Sequence, residues 1–456
     1  MKMKTKYHLT CILGICLSCL PLVLQAQEGW SLQQCIDYAV AESAKMEAQH
    51  AQNRKQSLDV RDAALSLLPS LSAGTGAGYT FGRSPDPNTN TYSNTQYFGN
   101  SYSLSASMPL FSGFSGINNL RFEKFAQLKG LKDTEKQAND IAMQVLQSYY
   151  EVLYRERLQE LAQEQLTLSI QERTRMQRQV ELGLKAAADM AEAEAKYAGD
   201  EYNLIQSQNQ YDDALLLLKR LMSYPVDQAL SLQSGADELS AFAASQLPTD
   251  SLYAIALSHL PQALASDYSI KQARAALAAY RGSLFPRLSL SGGYSTNYYN
   301  TYKNDEGQRI AFQDQLSNNA SQYVQVSLNI PIFSGLSRQS GRQRAQQDVR
   351  IAEASHRDLQ QEVYKEVQQA TQSLQAAVKA YEQALKQERA RQLAYDVNER
   401  RYAEGLISIL DLHTSSNLLL AAKAETIGNY LKMNAQRRIV AYYQGKPLVS
   451  PNVMAD

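Results

Sequence analysis

The sequence predicts a mixed α+β membrane protein, internally duplicated. Four strands per chain would join those of two further copies in a trimeric 12-stranded β-barrel, continuous with long α-helical coiled coils. Three observations carry this reading. The phrase "MPLFSGFSG" at 108–116 returns as "IPIFSGLSR" at 330–338, with Pro109 and Pro331 lying 222 positions apart (331 − 109). Segments beside both copies alternate apolar and small polar residues with period two. Elsewhere, apolar residues recur in steps of three and four.

The chain starts like a secretory leader. Lys2, Lys4 and Lys6 precede an apolar run from Leu9 to Leu24, and Ala26 offers a small residue for cleavage. The run is short and "QAQEGW" follows at once, which disfavours a membrane anchor. Cys11, Cys16 and Cys19 leave with residues 1–26, so only Cys35 remains and no disulfide can form within one chain. Lys+Arg and Asp+Glu are both 45, which gives no pull toward nucleic acid. Past the leader no apolar run approaches the ~20 residues of a membrane helix. Strands are the remaining way to span a bilayer.

Residues 68–115 supply the first two strands and an outer loop. In 71–82, Leu71, Ala73, Ala77, Tyr79 and Phe81 alternate with Ser72, Gly74, Gly76, Gly78 and Gly82. In 101–110, Tyr102, Leu104, Ala106, Met108 and Leu110 alternate mostly with serine. Residues 285–337 repeat the plan: Leu288, Leu290 and Tyr294 alternate with Ser289, Ser291 and Gly293, and Val324, Val326, Leu328 and Ile330 with Gln325, Ser327 and Asn329. Serine and glycine suit a channel lining better than a solvated face, which would carry Lys and Glu. Loops at 83–100 and 296–320 would join each pair. Four strands cannot close, and an open edge in lipid leaves backbone groups unpaired at several kcal/mol each. Two copies would make eight strands, roughly filled by side chains; three make twelve, with space inside. The expectation is a homotrimer sharing one barrel in a lipid bilayer.

Helices account for the rest. From Leu359 the apolar positions run Val363, Val367, Ala370, Leu374, Ala377, Tyr381 and Ala384, a coiled-coil stripe. Residues 338–404 lack proline, so one helix of ~100 Å is expected. The first repeat has its counterpart at 116–182, with Leu146, Tyr150, Leu153, Leu158 and Leu161 on the stripe. Each long helix stops at a glycine, Gly183 or Gly405, and a shorter helix returns at 186–221 or 407–443. Hairpin-bearing segments thus fill 116–221 and 338–443. Helices at 31–67 and 252–284, within segments 27–67 and 251–284, end just before Pro69 and Pro286 and feed the strands. Residues 222–250 connect the repeats, and 444–456 form a tail. The repeated phrase, with Pro109 and Pro331, is the strand-to-helix join.

These residues resemble the TolC-type outer-membrane factors. The leader and the pairs "LLPSLS"/"LFPRLS", "PLFSGF"/"PIFSGL" and "GLKAAADM"/"GLISILDL" span nearly the whole chain in the family's order. The resemblance implies a trimeric barrel in outer-membrane lipid that continues into a long α-helical coiled-coil periplasmic tunnel, an exit channel for efflux pumps or type I secretion. It also implies docking to an inner-membrane transporter of RND or ABC type through a periplasmic adaptor. By resemblance, Gly183, Leu184, Gly405, Leu406 and Ser408 form periplasmic tips that meet the adaptor. Arg401 matches an arginine that commonly sits four before the tip glycine; the first repeat has Gln179. Asp189 and Asp411 match an aspartate favoured six after it. Asp411 resembles an acidic ring that narrows the closed channel, and Thr414 stands where some members carry a second ring. Tyr402 and Asp189 resemble partners that bond neighbouring helices shut.

No enzyme emerges. His8, His50, His259, His356 and His413 are scattered, without metal-ligand spacing, and no cofactor is expected. "GTGAG" at 74–78 precedes no helix and is not a phosphate cradle. A periplasmic coiled-coil scaffold or adaptor is the alternative reading. It explains the heptads but not the four strands.

Overall fold

A computed structural model describes residues 29–86, 90–233 and 248–453. The leader at 1–26 lies outside these residues, as does much of the 222–250 connection. The first repeat runs α1 (Leu32–Ala41), α2 (Ala44–Leu65), β1 (Ser70–Pro85), β2 (Tyr92–Phe111), α3 (Ser115–Glu181) and α4 (Ala187–Met222). The second runs α5 (Thr249–His259), α6 (Pro261–Gly282), β3 (Arg287–Tyr299), α7 (Phe312–Asn318), β4 (Ser321–Asn329), α8 (Ser337–Ala403) and α9 (Ile409–Tyr443).

Both long helices have 67 residues, about 100 Å at 1.5 Å per residue. The stripe on α8 is buried as its spacing requires, with Leu359 and Tyr381 only half so. Two expectations need correction. The single helices expected at 31–67 and 252–284 are each broken in two. At the first break Ser43 leaves the helix and its side chain accepts from the Lys45 N–H, capping α2. At the second, Pro261 has no N–H to continue α5, and Leu260 turns to φ −61, ψ 125. The loops expected at 83–100 and 296–320 are also largely ordered. β1 and β2 stay paired up to Pro85↔Tyr92, β3 reaches Tyr299, and α7 occupies 312–318. Backbone pairing and β-favouring Tyr, Phe and Thr extend a ladder beyond the point where strict alternation stops.

The strands form one antiparallel sheet in the order β1-β2-β3-β4. Its register sorts the side chains by face. Leu71 faces Ala106, Leu104 pairs with Ala73 and Tyr294, Met108 with Leu290, and Leu290 with Val326. The alternate positions join Ser107 to Ser70 and Ser291, and Ser103 to Gly74 and Ser295. Serine pairs link the strands on this face: Ser70–Ser107 at 3.0 Å, Ser72–Ser105 at 2.8 Å and Ser295–Ser321 at 3.0 Å between hydroxyls. The outer edges of β1 and β4 have no strand beside them among the described residues.

The repeated phrase has a backbone reason. The β2–β3 register shifts between Pro109 and Phe111, where proline cannot donate to the ladder. Gly113 (φ 62) and Phe114 (φ 64) then turn left-handed before α3, and Gly335 (φ 58) with Leu336 (φ 60) do the same before α8. Gly113 is also pressed against α6: a Cβ there would lie 2.1 Å from the Gly282 carbonyl oxygen. Pro331 follows β4, and Pro69 and Pro286 lie between helix and strand as expected.

Two cores hold the middle of the helical body. One gathers Leu32, Ile36 and Val40 of α1, Val145 and Leu146 of α3, Leu218 and Met222 of α4, and Leu448 and Val449 of the tail. The other gathers Leu252 and Ala256 of α5, Val363 and Val367 of α8, and Val440 and Tyr443 of α9. Cys35 is wholly buried in the first, and burial pushes its thiol up to about 12, which leaves it inert. Ser450 ties the tail to α1, its N–H and hydroxyl donating to Asp37 at 3.0 and 2.6 Å.

Candidate channel gate at the helix tips

Both long helices end in the same way. Gly183 (φ 72) and Gly405 (φ 76) are left-handed. The Gly183 N–H donates to Val180 O at 2.9 Å and the Leu184 N–H to Gln179 O at 2.8 Å. In the second repeat the Gly405 N–H donates to Tyr402 O at 3.0 Å and the Leu406 N–H to Arg401 O at 2.8 Å. This paired closure needs a residue that tolerates positive φ, hence glycine in both tips. Leu184 and Leu406 are exposed, at 71% and 68%. Two leucines presented at the extreme end of a polar bundle leave apolar surface for something else to cover.

The returning helices are capped unequally. Ser408 Oγ accepts from the Asp411 N–H at 3.2 Å, and Asp411 Oδ2 accepts from the Ser408 N–H at 3.2 Å and its hydroxyl at 2.7 Å. The Ser408 hydroxyl and then its N–H hold the Asp411 carboxyl below the usual carboxylate range. In the first tip Asp189 Oδ2 accepts from the Ala186 N–H at 3.2 Å, but Ala186 has no side-chain oxygen to return the bond. Asp411 is exposed, and so is Thr414, whose hydroxyl donates to Leu410 O at 2.8 Å.

The two tips pack side by side. Met176 and Val180 of α3, Met190 and Ala193 of α4, Tyr402 of α8 and Ile409 of α9 form one small apolar cluster. The Lys185 ammonium lies 5.2 Å from the Tyr402 ring centre. Burial, then the Glu172 and Asp189 carboxylates, raise the Tyr402 phenol, so Asp189 acts on it electrostatically within one chain. Beside Tyr402 opens a cleft of about 470 Å³ lined by Glu172, Arg175, Lys185, Tyr395 and Glu399.

One group escaped the sequence reading. His413, buried on α9, has Nε2 3.1 Å from Glu172 of α3 and Nδ1 3.9 Å from Glu192 of α4. It ties the second tip to both helices of the first. No local motif announces it, because its partners lie 241 positions away in the case of Glu172. A second unforeseen pair, Lys196–Asp200 at 2.6 Å on α4, is nearly buried, with side chains 12% and 4% exposed.

Residues 35–223 and 252–441, the two repeats, match the family described as Outer membrane efflux protein. Among curated relatives, the chain is 25% identical over 439 residues to the probable efflux pump outer membrane protein TtgC of Pseudomonas putida, covering 90% of this chain and 83% of that one. It is 25% identical over 445 residues to the outer membrane protein TolC of Escherichia coli, covering 93% and 84%. Solved structures share the fold. The Campylobacter jejuni CmeC outer membrane channel superposes with a TM-score of 0.77 at 16% identity over 91% of this chain and 85% of that one. The open state of the Neisseria gonorrhoeae MtrE outer membrane channel does so at 0.75 and 18% over 92% and 89%. With both halves matched, the scaffold alternative falls away: the chain belongs to the outer membrane efflux protein family and serves as an exit channel at the outer membrane.

Proposed function

We propose that three copies of the chain close one twelve-stranded barrel and form a continuous passive duct from periplasm to exterior. The supporting observation is an asymmetry in contacts between the repeats. Repeat 1 joins repeat 2 through β2 on β3 and α3 on α6. The equivalent return, β4 on β1 and α8 on α2, has no comparable counterpart within the described residues. A duplicated unit that binds its successor in one direction leaves the same surfaces open at both ends, and a ring of copies satisfies them. Three copies rather than two follow from the small Ser/Gly face, which suits an open lumen.

In this reading the tips form a gated periplasmic end. Asp411 from three chains makes an acidic ring, with Thr414 one turn further in. Tyr402 and Asp189 bond neighbouring helices shut across chains. Exposed Leu184 and Leu406, with Gly183, Arg401, Gly405 and Ser408, meet a periplasmic adaptor, which links the duct to an inner-membrane transporter of RND or ABC type. The mass of the protein–detergent complex tests the assembly: three copies are expected, and a stable monomer with a closed barrel overturns it. Crosslinking from a photoreactive residue at Leu406 tests the adaptor contact in cells.

A further inference from the structure

Around the join between sheet and helices, the second repeat carries Arg281, Arg287, Arg338, Arg342 and Arg344. No Asp or Glu occurs from 268 to 304 or from 315 to 347. Three of them meet at the join. Arg281 lies in the last turn of α6, whereas Arg287 opens β3 opposite Asn329 on the Ser/Gly face and so lies outside this group. Arg338 donates to the Ser283 carbonyl at 2.5 Å across the join, and Gly341 sits against the Tyr280 ring. Arg342, one turn below Arg338, has its Nε buried without a hydrogen-bond partner. None of the five forms an ion pair among the described residues; the nearest acid of α8 beyond Asp348, Glu353, is taken by Arg274.

The first repeat is an internal control for what the fold requires. Aligning Pro69 with Pro286 puts Ala64 and Ser70 at the positions of Arg281 and Arg287. Aligning Pro109 with Pro331 puts Gly116, Leu120 and Phe122 at those of Arg338, Arg342 and Arg344. The same backbone join is thus made with no cation at any of the five places, so the join as such does not require them.

Their position bears on what they bind. Between the strands and the helices stand Phe285, Ile332, Phe333 and Leu336, exposed in the single chain at 55%, 94%, 82% and 65%. Apolar and aromatic residues at the end of a spanning sheet mark the bilayer interface, and cations just beyond them lie at headgroup depth. The join is on the helical, periplasmic side, so the facing leaflet is the inner one. We propose that this arginine cluster is a binding site for the phosphate of an anionic phospholipid in the inner leaflet of the outer membrane. The site lies at the second-repeat join only, and rests on the outer-membrane placement of the sheet. Guanidinium forks suit phosphate oxygens, and the half-buried Arg338 and Arg342 hold their donors in place. The rival occupant is a carboxylate on α2 of an adjacent copy; Asp62 already pairs with Arg61, which leaves Asp59 as the rival that the test separates.

The test uses the full-length protein in detergent, titrated with dioleoyl phosphatidylglycerol or dioleoyl phosphatidylethanolamine and read by native mass spectrometry. Phosphatidylglycerol should remain bound in preference to phosphatidylethanolamine. The triple variant Arg281→Gln, Arg338→Gln, Arg342→Gln should bind it at least ~tenfold more weakly. Arg357→Gln, Arg389→Gln, Arg391→Gln, with equal charge loss far down α8, should bind as the parent does. Equal retention in the two triple variants overturns the site. So does displacement of bound phosphatidylglycerol by an equal concentration of inorganic phosphate, which would make it an anion site unrelated to lipid. Dissociation of the assembly by the first triple variant, reproduced by Asp59→Asn, assigns the arginines to the adjacent copy and also overturns it. Single-channel conductance of the variant reports separately on the exit-channel reading, because the lumen is untouched.

Discussion

Ser408 and Asp411 hold each other across the first turn of α9, each accepting a hydrogen bond from the other's backbone N–H at 3.2 Å. The residue that the family resemblance places in an acidic ring is therefore also the N3 member of the capping box of its own helix, with Ser408 as the N-cap. Its charge is fixed by a local bond. A carboxyl held below its ordinary range contributes to the folded tip above that range and loses the contribution as pH falls through the lowered value. Ser408→Ala removes the larger cause of the shift. The cation preference of the channel should then disappear at a higher pH than in the parent. Reversal potentials measured in planar bilayers between pH 3 and 6 would read this, and coincident titrations would sever Asp411 from selectivity.

Ala186 supplies the reciprocal experiment. Its N–H already donates to Asp189, and only the side-chain acceptor is missing. Ala186→Ser should complete the box and stabilise the first tip by about 0.5–2 kcal/mol. Slower proteolysis at 182–187 is the expected reading; faster cleavage would mean that the serine is misplaced.

Strand phase has its own test. Leu328 lies on the apolar face with Leu288, and Asn329 is one residue along on the opposite face. Leu328→Arg should cost about 2–4 kcal/mol if the residue sits near the bilayer midplane, and Asn329→Arg much less. Yields of folded, heat-resistant oligomer would compare them. Equal losses would mean that the faces are assigned the wrong way round.

Much of this architecture was readable in the chain because it is written in periodicity. The α8 stripe, the two-residue alternation in the strands and both tip glycines each follow from spacing that a backbone imposes. What spacing did not foretell has a different physical origin. Ser43 and Pro261 break helices by local capping and a missing N–H, which apolar periodicity does not register. The close approach of Gly113 to Gly282 depends on two segments far apart in sequence. His413 shows the limit most clearly: its carboxylate partners come from α3 and α4, so three separate helices must be placed before the contact exists.

The Lys196–Asp200 pair shows how burial turns a commonplace i,i+4 contact into a sensitive one. On an exposed face it would be worth a few tenths of a kcal/mol. Here the Asp200 side chain is only 4% exposed, so Lys196→Met strands a buried carboxylate and should cost about 3–5 kcal/mol. Lys196→Met with Asp200→Leu should recover most of that. Thermal unfolding in detergent would show it, and a double variant as unstable as the single would assign the loss to packing.

The gate is where geometry and resemblance meet. In the proposed trimer, three Asp411 carboxylates brought together would attract cations and repel one another, and the repulsion would be screened once they stood farther apart than ~8 Å at physiological salt. Something must hold the tips together against it. Within one chain Tyr402 packs on Met176, Val180 and Ile409, and Lys185 lies over its ring, so its aromatic body is fixed. Its phenol feels Asp189 electrostatically, while Asp189 keeps one oxygen on Ala186. The second oxygen is the acceptor that a neighbouring chain's Tyr402 would use. Asp411→Asn should lower cation preference with little change in conductance. Tyr402→Phe with Asp189→Ala should raise conductance severalfold while the packed ring stays in place. Recording both variants in planar bilayers separates charge from closure. Unchanged conductance in the double variant would move the closing bond to the His413–Glu172 contact, where His413→Gln is the next substitution to record.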